Sequence, residues 1–173
     1  DSDSRYVNVD GTAAVTITTA DNNPQLTLKS TDADANAGPI LILNRDSASP
    51  ADNDLIGKIQ FSGDDDGGNS LDYATINIKA TDVSDGSEDG EFDISTVVGG
   101  TSRSRIRMDG TETIVNENSV DVDFRVESDG NANMLVVDAG TNRVSIGGSG
   151  PASILNVSGD DANFIGRFYN DGN

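Results

Sequence analysis

Residues 120–127 read Val-Asp-Val-Asp-Phe-Arg-Val-Glu, and this octet decides the fold class. Successive side chains of an extended strand point to opposite faces. Val120, Val122, Phe124 and Val126 therefore share one side, and Asp121, Asp123, Arg125 and Glu127 share the other. One face is wholly apolar and the other wholly charged, so a slip of one residue would turn every valine to water. The octet predicts a strand with a firmly specified register.

Working outward, the same period of two recurs between clusters of Gly, Asp, Asn, Ser and Pro. Val15, Ile17 and Thr19 alternate with Thr16 and Thr18, and Leu26 and Leu28 with Thr27 and Lys29. Residues 40–43, Ile-Leu-Ile-Leu, form a continuous apolar run of the kind expected for a strand covered on both faces. Ile59 and Phe61 oppose Lys58 and Gln60. Ala74, Ile76, Ile78 and Ala80 oppose Tyr73, Thr75, Asn77 and Lys79. Phe92, Ile94 and Thr96 oppose Asp93 and Ser95. No window carries a helical stripe. Residues 63–69 and 84–90 have turn chemistry, and Asp109-Gly110 and Asp129-Gly130 predict tight hairpins in which glycine supplies positive φ. The four prolines, Pro24, Pro39, Pro50 and Pro151, fall at strand margins, where a missing N–H does least harm.

The expectation is an all-β chain whose texture changes near residue 118. An N-terminal strand or linker (1–25) precedes a β-sandwich-like module (26–117) with long acidic loops. A short-stranded stem (118–162) follows, of the kind three chains close by intertwining. Residues 163–173 look like the start of a further segment, cut short.

Composition narrows the functional classes. Hydrophobic residues make up 34% of the 173, below the roughly 45–50% of ordinary domains, a range that also counts glycine. A core this thin is often completed by oligomerisation. Disorder is the competing reading of low hydrophobicity and high charge, and the ordered alternation argues against it. Eleven basic residues against 30 acidic give a net charge of −19, which repels nucleic acid and anionic membrane alike. Cysteine and histidine are both absent. That excludes disulfides, thiolate metal sites and the Ser-His-Asp and Cys-His nucleophile systems within the chain.

Residues 123–159 resemble a segment common in the tail fibres and related virion appendages of marine bacteriophages, cyanophages included. A Phe-x-Val-x-Ser strand (Phe124, Val126, Ser128) leads to Leu-x-Val-Asp (Leu135, Val137, Asp138). Asn142, Arg143, Val144, Ile146 and Gly147 follow, then Pro151, Leu155 and Val157. Residues 26–108 are similar to the module that often precedes that segment. Ser145 departs from the pattern, where glycine is usual, and Gly147-Gly148-Ser149-Gly150 is richer in glycine than expected. The resemblance implies a homotrimer carrying three times −19, or −57, mounted on a virion and contacting other virion proteins and a host glycan or protein. It implies a structural and non-enzymatic role, spacing or presenting a host-recognition tip. The alternative class is a calcium-dependent adhesin or surface-layer module of a marine bacterium.

Three constellations are candidates for chemistry. Asp64, Asp65 and Asp66, or Asp82, Asp85, Glu88 and Asp89, offer carboxylate pairs of the glycosidase kind. They sit in turn-like clusters with few aromatics nearby, so solvated loop charge is the better reading. Asp32, Asp34 and Asn36 match the first three ligand positions of a calcium loop, but Ala37 stands where glycine is needed and Leu43 where the bidentate glutamate belongs. They are the weak metal candidates; no other cofactor is expected. Arg103, Arg105 and Arg107 alternate, with Ser104, Ile106 and Met108 between and after them, and predict one basic face. In a chain of 30 acids that face reads as a stripe for ion pairs with carboxylates on adjacent strands or chains rather than as a phosphate or glycan site. Asn156-Val157-Ser158 is a lone sequon that carries no meaning in a bacterial virus.

Overall fold

The computed structural model describes residues 15–148 and the strand Leu155–Val157. All regular structure among the described residues is β. The strands are β1 (Asp54–Asp64), β2 (Ser70–Asp82), β3 (Asp89–Val98), β4 (Thr101–Met108), β5 (Thr113–Val115), β6 (Phe124–Val126), β7 (Leu135–Asp138), β8 (Arg143–Ile146) and β9 (Leu155–Val157). The chain divides into two units, Asp1–Ile42 and Leu43–Asn173, and every one of these strands belongs to the second. The expected further segment at 163–173 lies outside the described residues.

The strands predicted at 15–19, 26–29 and 40–43 do not form: residues 15–53 carry no strand. Period-two patterning reports which faces a segment would bury, but a ladder also needs a neighbour to receive its N–H and C=O groups. Within this stretch local side-chain bonds bend the chain instead. Asp21 Oδ1 accepts the N–H of Asn23 at 3.1 Å, and Asp34 Oδ1 accepts that of Asn36 at 2.8 Å. The run predicted to be covered on both faces is bare, with Ile42 76% exposed.

From residue 54 the alternation is realised. β1 to β5 form a five-stranded antiparallel meander in chain order. Its turns follow from their residues. Gly99 and Gly100 join β3 to β4 with φ of 57° and 77°, the doubly positive pair that matches the twist of a two-residue hairpin. The Asp109-Gly110 turn forms as predicted but for another reason, since Gly110 does not have positive φ. The Asp109 carboxylate shapes it, accepting from the Thr111 hydroxyl at 2.7 Å, the Thr111 N–H at 2.9 Å and the Glu112 N–H at 3.0 Å. A Cβ at Gly110 would lie 2.9 Å from Asp89 Oδ1, so a larger residue there would require the Asp89 carboxylate to turn aside. Gly130, in the β6–β7 turn, likewise lacks positive φ.

β6 to β9 form a four-stranded sheet, antiparallel except for the parallel pair β8–β9. Residue 118 lies in the connector between the two sheets. The octet 120–127 pairs only over Phe124–Val126. Asn116, at φ 64°, holds the first half out of the ladder: its amide donates to the carbonyls of Val120 at 2.8 Å and Val122 at 3.3 Å. Ser145, at the position where the resemblance leads one to expect glycine, is fully buried on β8 and donates its hydroxyl to the Gly148 carbonyl at 2.7 Å.

The core is inverted relative to ordinary domains. Among the described residues the buried hydrophobic side chain is Val136, at 7% exposure, while Thr75, Ser95 and Ser145 are buried beside their polar partners. Apolar side chains fill the exposed set instead.

Candidate functional site

Register places the side chains of the five-stranded sheet on two faces, because residues paired across a ladder point the same way. One face is apolar. Ile59 pairs with Ile76, Ile76 with Ile94, Ile94 with Ile106 and Ile106 with Val115, so a single aliphatic row crosses all five strands. A parallel row runs Ile78–Phe92–Met108, and another runs Phe61–Ala74–Thr96–Arg103. Leu43 approaches this face beside Gly57, the partner of Ile78, but most of it is open: Phe61 is 56% exposed, and Ile59, Ile78, Ile106, Met108 and Val115 are all exposed.

The opposite face is polar and holds most of its charges in pairs within the chain, although Arg107 Nε is shielded from water without a hydrogen-bond acceptor. The Asp93 carboxylate accepts the hydroxyls of Ser95, at 2.5 Å, and Ser104. Asp72 accepts from Ser62 Oγ at 2.7 Å, Gln60 Nε2 at 2.5 Å and Lys58 Nζ at 3.3 Å, and the Ser62 hydroxyl, helped by Lys58, holds its pKa below the usual carboxylate value. Glu91 sits 2.9 Å from Lys79 Nζ and 3.8 Å from Arg107 Nε.

The predicted arginine stripe is divided by a bulge. Ile94 pairs with Ile106 but Ser95 pairs with Ser104, which leaves Arg105 as the extra residue on β4. Alternation restarts after it, so Arg103 and Arg107 stand on opposite faces. Arg107, on the polar face opposite Asp93, meets Glu117 at 2.7 Å and Asp109 at 3.0 Å within the same chain. Partial desolvation lowers its pKa, but the Asp109 hydrogen bond and the charges of Glu117, Asp109 and Glu91 prevail and raise it. Asp109 in turn is held far below the ordinary carboxylate value, by the Thr111 hydroxyl first and then by the Thr111 and Glu112 N–H groups and Arg107. Arg103, opposite Thr96, stands on the apolar face without a carboxylate among the described residues, and its Nε is shielded from water with no acceptor.

Members of each acidic cluster close local turns. Asp34 accepts from Asn36, which lowers its pKa, while Asp32 Oδ1 takes the Asp34 N–H at 3.3 Å. Asp65 accepts the N–H groups of Asn69 at 2.8 Å and Gly67 at 2.9 Å, and is lowered chiefly by Asn69. Asp82 caps Ser84 at 2.7 Å. Among the described residues no group of three or more Asp or Glu side chains is gathered to hold a metal ion. A cavity of about 210 Å3 at the inter-sheet connector is lined by Asn116, Ser119, Val120, Ala139 and Asn142, none of them titratable.

The second sheet repeats the two-faced plan. Phe124 and Val144 pair with Val137, and Val126 and Ile146 pair with Leu135, which sets one apolar face; Phe124, Val126, Val137 and Ile146 on it are exposed. Val136 and Ser145 are buried on the other face. Within β6 the octet's apolar side, Phe124 and Val126, is as expected, yet it is open to water, whereas Val120 and Val122 lie outside the strand. Sequence reading marked the arginines and acidic loops and missed the aliphatic row across five strands. Its signal was present in the isoleucines of four separate segments, but only register aligns them.

No protein-family model matches the chain, and no curated protein matches it significantly. No helix long and apolar enough to cross a membrane occurs among the described residues.

Proposed function

We propose that this chain is a structural, non-enzymatic segment of an oligomeric fibre, with a bacteriophage virion appendage as its setting. In this reading the part before residue 118 is a sandwich-like module, and the part after it is a short-stranded stem that three chains close by intertwining. The fibre spaces or presents a tip that meets the host surface.

The observation that carries the proposal is the pairing of bare apolar sheet faces with an almost absent core among the described residues. A strand face as apolar as Ile59–Ile76–Ile94–Ile106–Val115 is stable in water only when covered, because each buried aliphatic side chain contributes about 1.5–3 kcal/mol. A net charge of −19 keeps the remaining surface solvated and discourages random association. The motif resemblance over 123–159 supplies the virion setting.

Denaturation in SDS, with and without a chelator, separates this reading from the adhesin one. A fibre segment stays a trimer in SDS at room temperature and is indifferent to EDTA. A calcium-dependent module migrates as a monomer and loses melting temperature in EDTA, and that result would replace the fibre reading.

A further inference from the structure

We infer that the apolar face of β1–β5 is the seat of a second copy of this chain, and that Arg103 sets the register of that contact by pairing with a carboxylate of the incoming copy. The inference rests on the assembly reading above and adds which face is used and which residue fixes it.

Strands about 4.8 Å apart and some eight residues long at about 3.3 Å give this face on the order of 600 Å2. That equals the upper end of the roughly 300–600 Å2 that the largest apolar patch of a soluble monomer spans. It approaches the roughly 800 Å2 that each partner buries in a stable interface. The opposite face has no such need, since its carboxylates already hold hydroxyls, Lys58, Lys79 and Arg107.

Charge selects the occupant. Arg103 is the cation on an otherwise apolar surface, at the end of the row Phe61–Ala74–Thr96. Its Nε, like that of Arg107, is desolvated without a hydrogen-bond acceptor, but Arg103 also lacks an ion pair among the described residues, a cost that a partner's carboxylate would offset. Arg107, two turns of the alternation away, finds three carboxylates at home; Arg103 finds none among the described residues. A second copy of a chain with 30 acids against 11 bases offers carboxylates in quantity, together with an exposed apolar run at Ile40–Leu43. A basic or purely apolar partner would leave Arg103 buried and unmatched, which is expensive.

The chain has no cysteine, so single-thiol variants report each face cleanly. Met108→Cys places a thiol on the apolar face and Lys58→Cys places one on the polar face. With the 173-residue chain above its assembly concentration, maleimide should label M108C at least tenfold more slowly than K58C, and the difference should vanish on dilution. Equal rates in a sample shown to be assembled would overturn the choice of face while leaving assembly intact. Protection that persists in the diluted monomer would mean that the chain covers its own face, and would overturn the second-copy assignment. A monomer at every concentration, with both thiols open, would remove the assembly reading itself. Arg103→Glu should raise the dissociation constant at least tenfold relative to Arg105→Glu, with Arg103→Lys between wild type and R103E. Equal effects of R103E and R105E would overturn the role given to Arg103.

Discussion

Phe61→Ala separates stability that belongs to one chain from stability that belongs to the assembly. Phe61 lies on the apolar face of β1, paired with Ala74, and is 56% exposed in the single chain. Full burial of a phenylalanine side chain is worth up to about 3 kcal/mol, so roughly 1.5 kcal/mol per copy remains to be gained when the face is covered. Three equivalent contacts lose about 4–5 kcal/mol when the ring is removed, which is a factor of roughly 1,000 in the dissociation constant of a trimer. The part of Phe61 already buried supports the fold of each chain and is lost independently of concentration. Sedimentation equilibrium over a dilution series measures the first quantity, and melting of the dilute monomer measures the second. Lys58→Ala, a neighbouring change on the polar face, should leave dissociation within about threefold of wild type, as exposed ion pairs contribute little. A dissociation constant unchanged by F61A, or changed equally by K58A, would refute the reasoning.

Three further outcomes follow from particular residues. Gly100→Ala forces a Cβ onto φ 77° and should cost about 1–2 kcal/mol in chemical denaturation, whereas Gly130→Ala, with no neighbour within 4 Å of the added Cβ and no positive φ, should be near neutral. Ser145→Ala removes the hydroxyl that meets the Gly148 carbonyl at 2.7 Å and should cost about 1–3 kcal/mol, seen as faster amide exchange along β8 and its partner β7. Asp65, Asp72 and Asp109 all have folded pKa values below their unfolded ones. Depressed carboxylates stabilise the fold above the unfolded value near 4 and lose that contribution as pH falls through the folded values. In high salt, which screens the repulsion of a −19 chain, the melting temperature should be flat from about pH 5 to 8 and fall below about pH 4. A melting temperature that rises steadily as pH falls below 4 in high salt would contradict this.

How far the residues alone reveal this molecule depends on which interaction decides each feature. Alternation is a one-dimensional signal, and it identified the apolar sides of β1, β2 and β3 from Ile59, Ile76 and Ile94 because those strands keep strict period two around them. It failed at Val15–Thr19 and Ile40–Leu43, where the apolar pattern is present but no neighbouring strand receives the backbone. It overshot at 120–127, where one side-chain amide, Asn116, takes the carbonyls of Val120 and Val122 from the ladder. The arginines show the same limit from the other side. Arg103, Arg105 and Arg107 alternate perfectly in sequence, and a single unpaired residue at Arg105 sends the outer two to opposite faces. Bulges come from hydrogen-bond accounting between strands, so the spacing of residues within one strand does not reveal them. The turn aspartates were legible as turn residues, although the work assigned to glycine at 109–110 is done by the Asp109 carboxylate.

The most direct test of the central claim is the molar mass of this 173-residue chain in solution by multi-angle light scattering, across micromolar concentrations. One copy weighs 18.0 kDa. A chain that completes its core with two others should elute at about 54 kDa, three times that value, and fall toward single-copy mass only on strong dilution or in the F61A variant. A well-folded species of 18.0 kDa at every concentration, with the same strand content and a cooperative melt, would show that the apolar faces need no second chain, and would contradict the account.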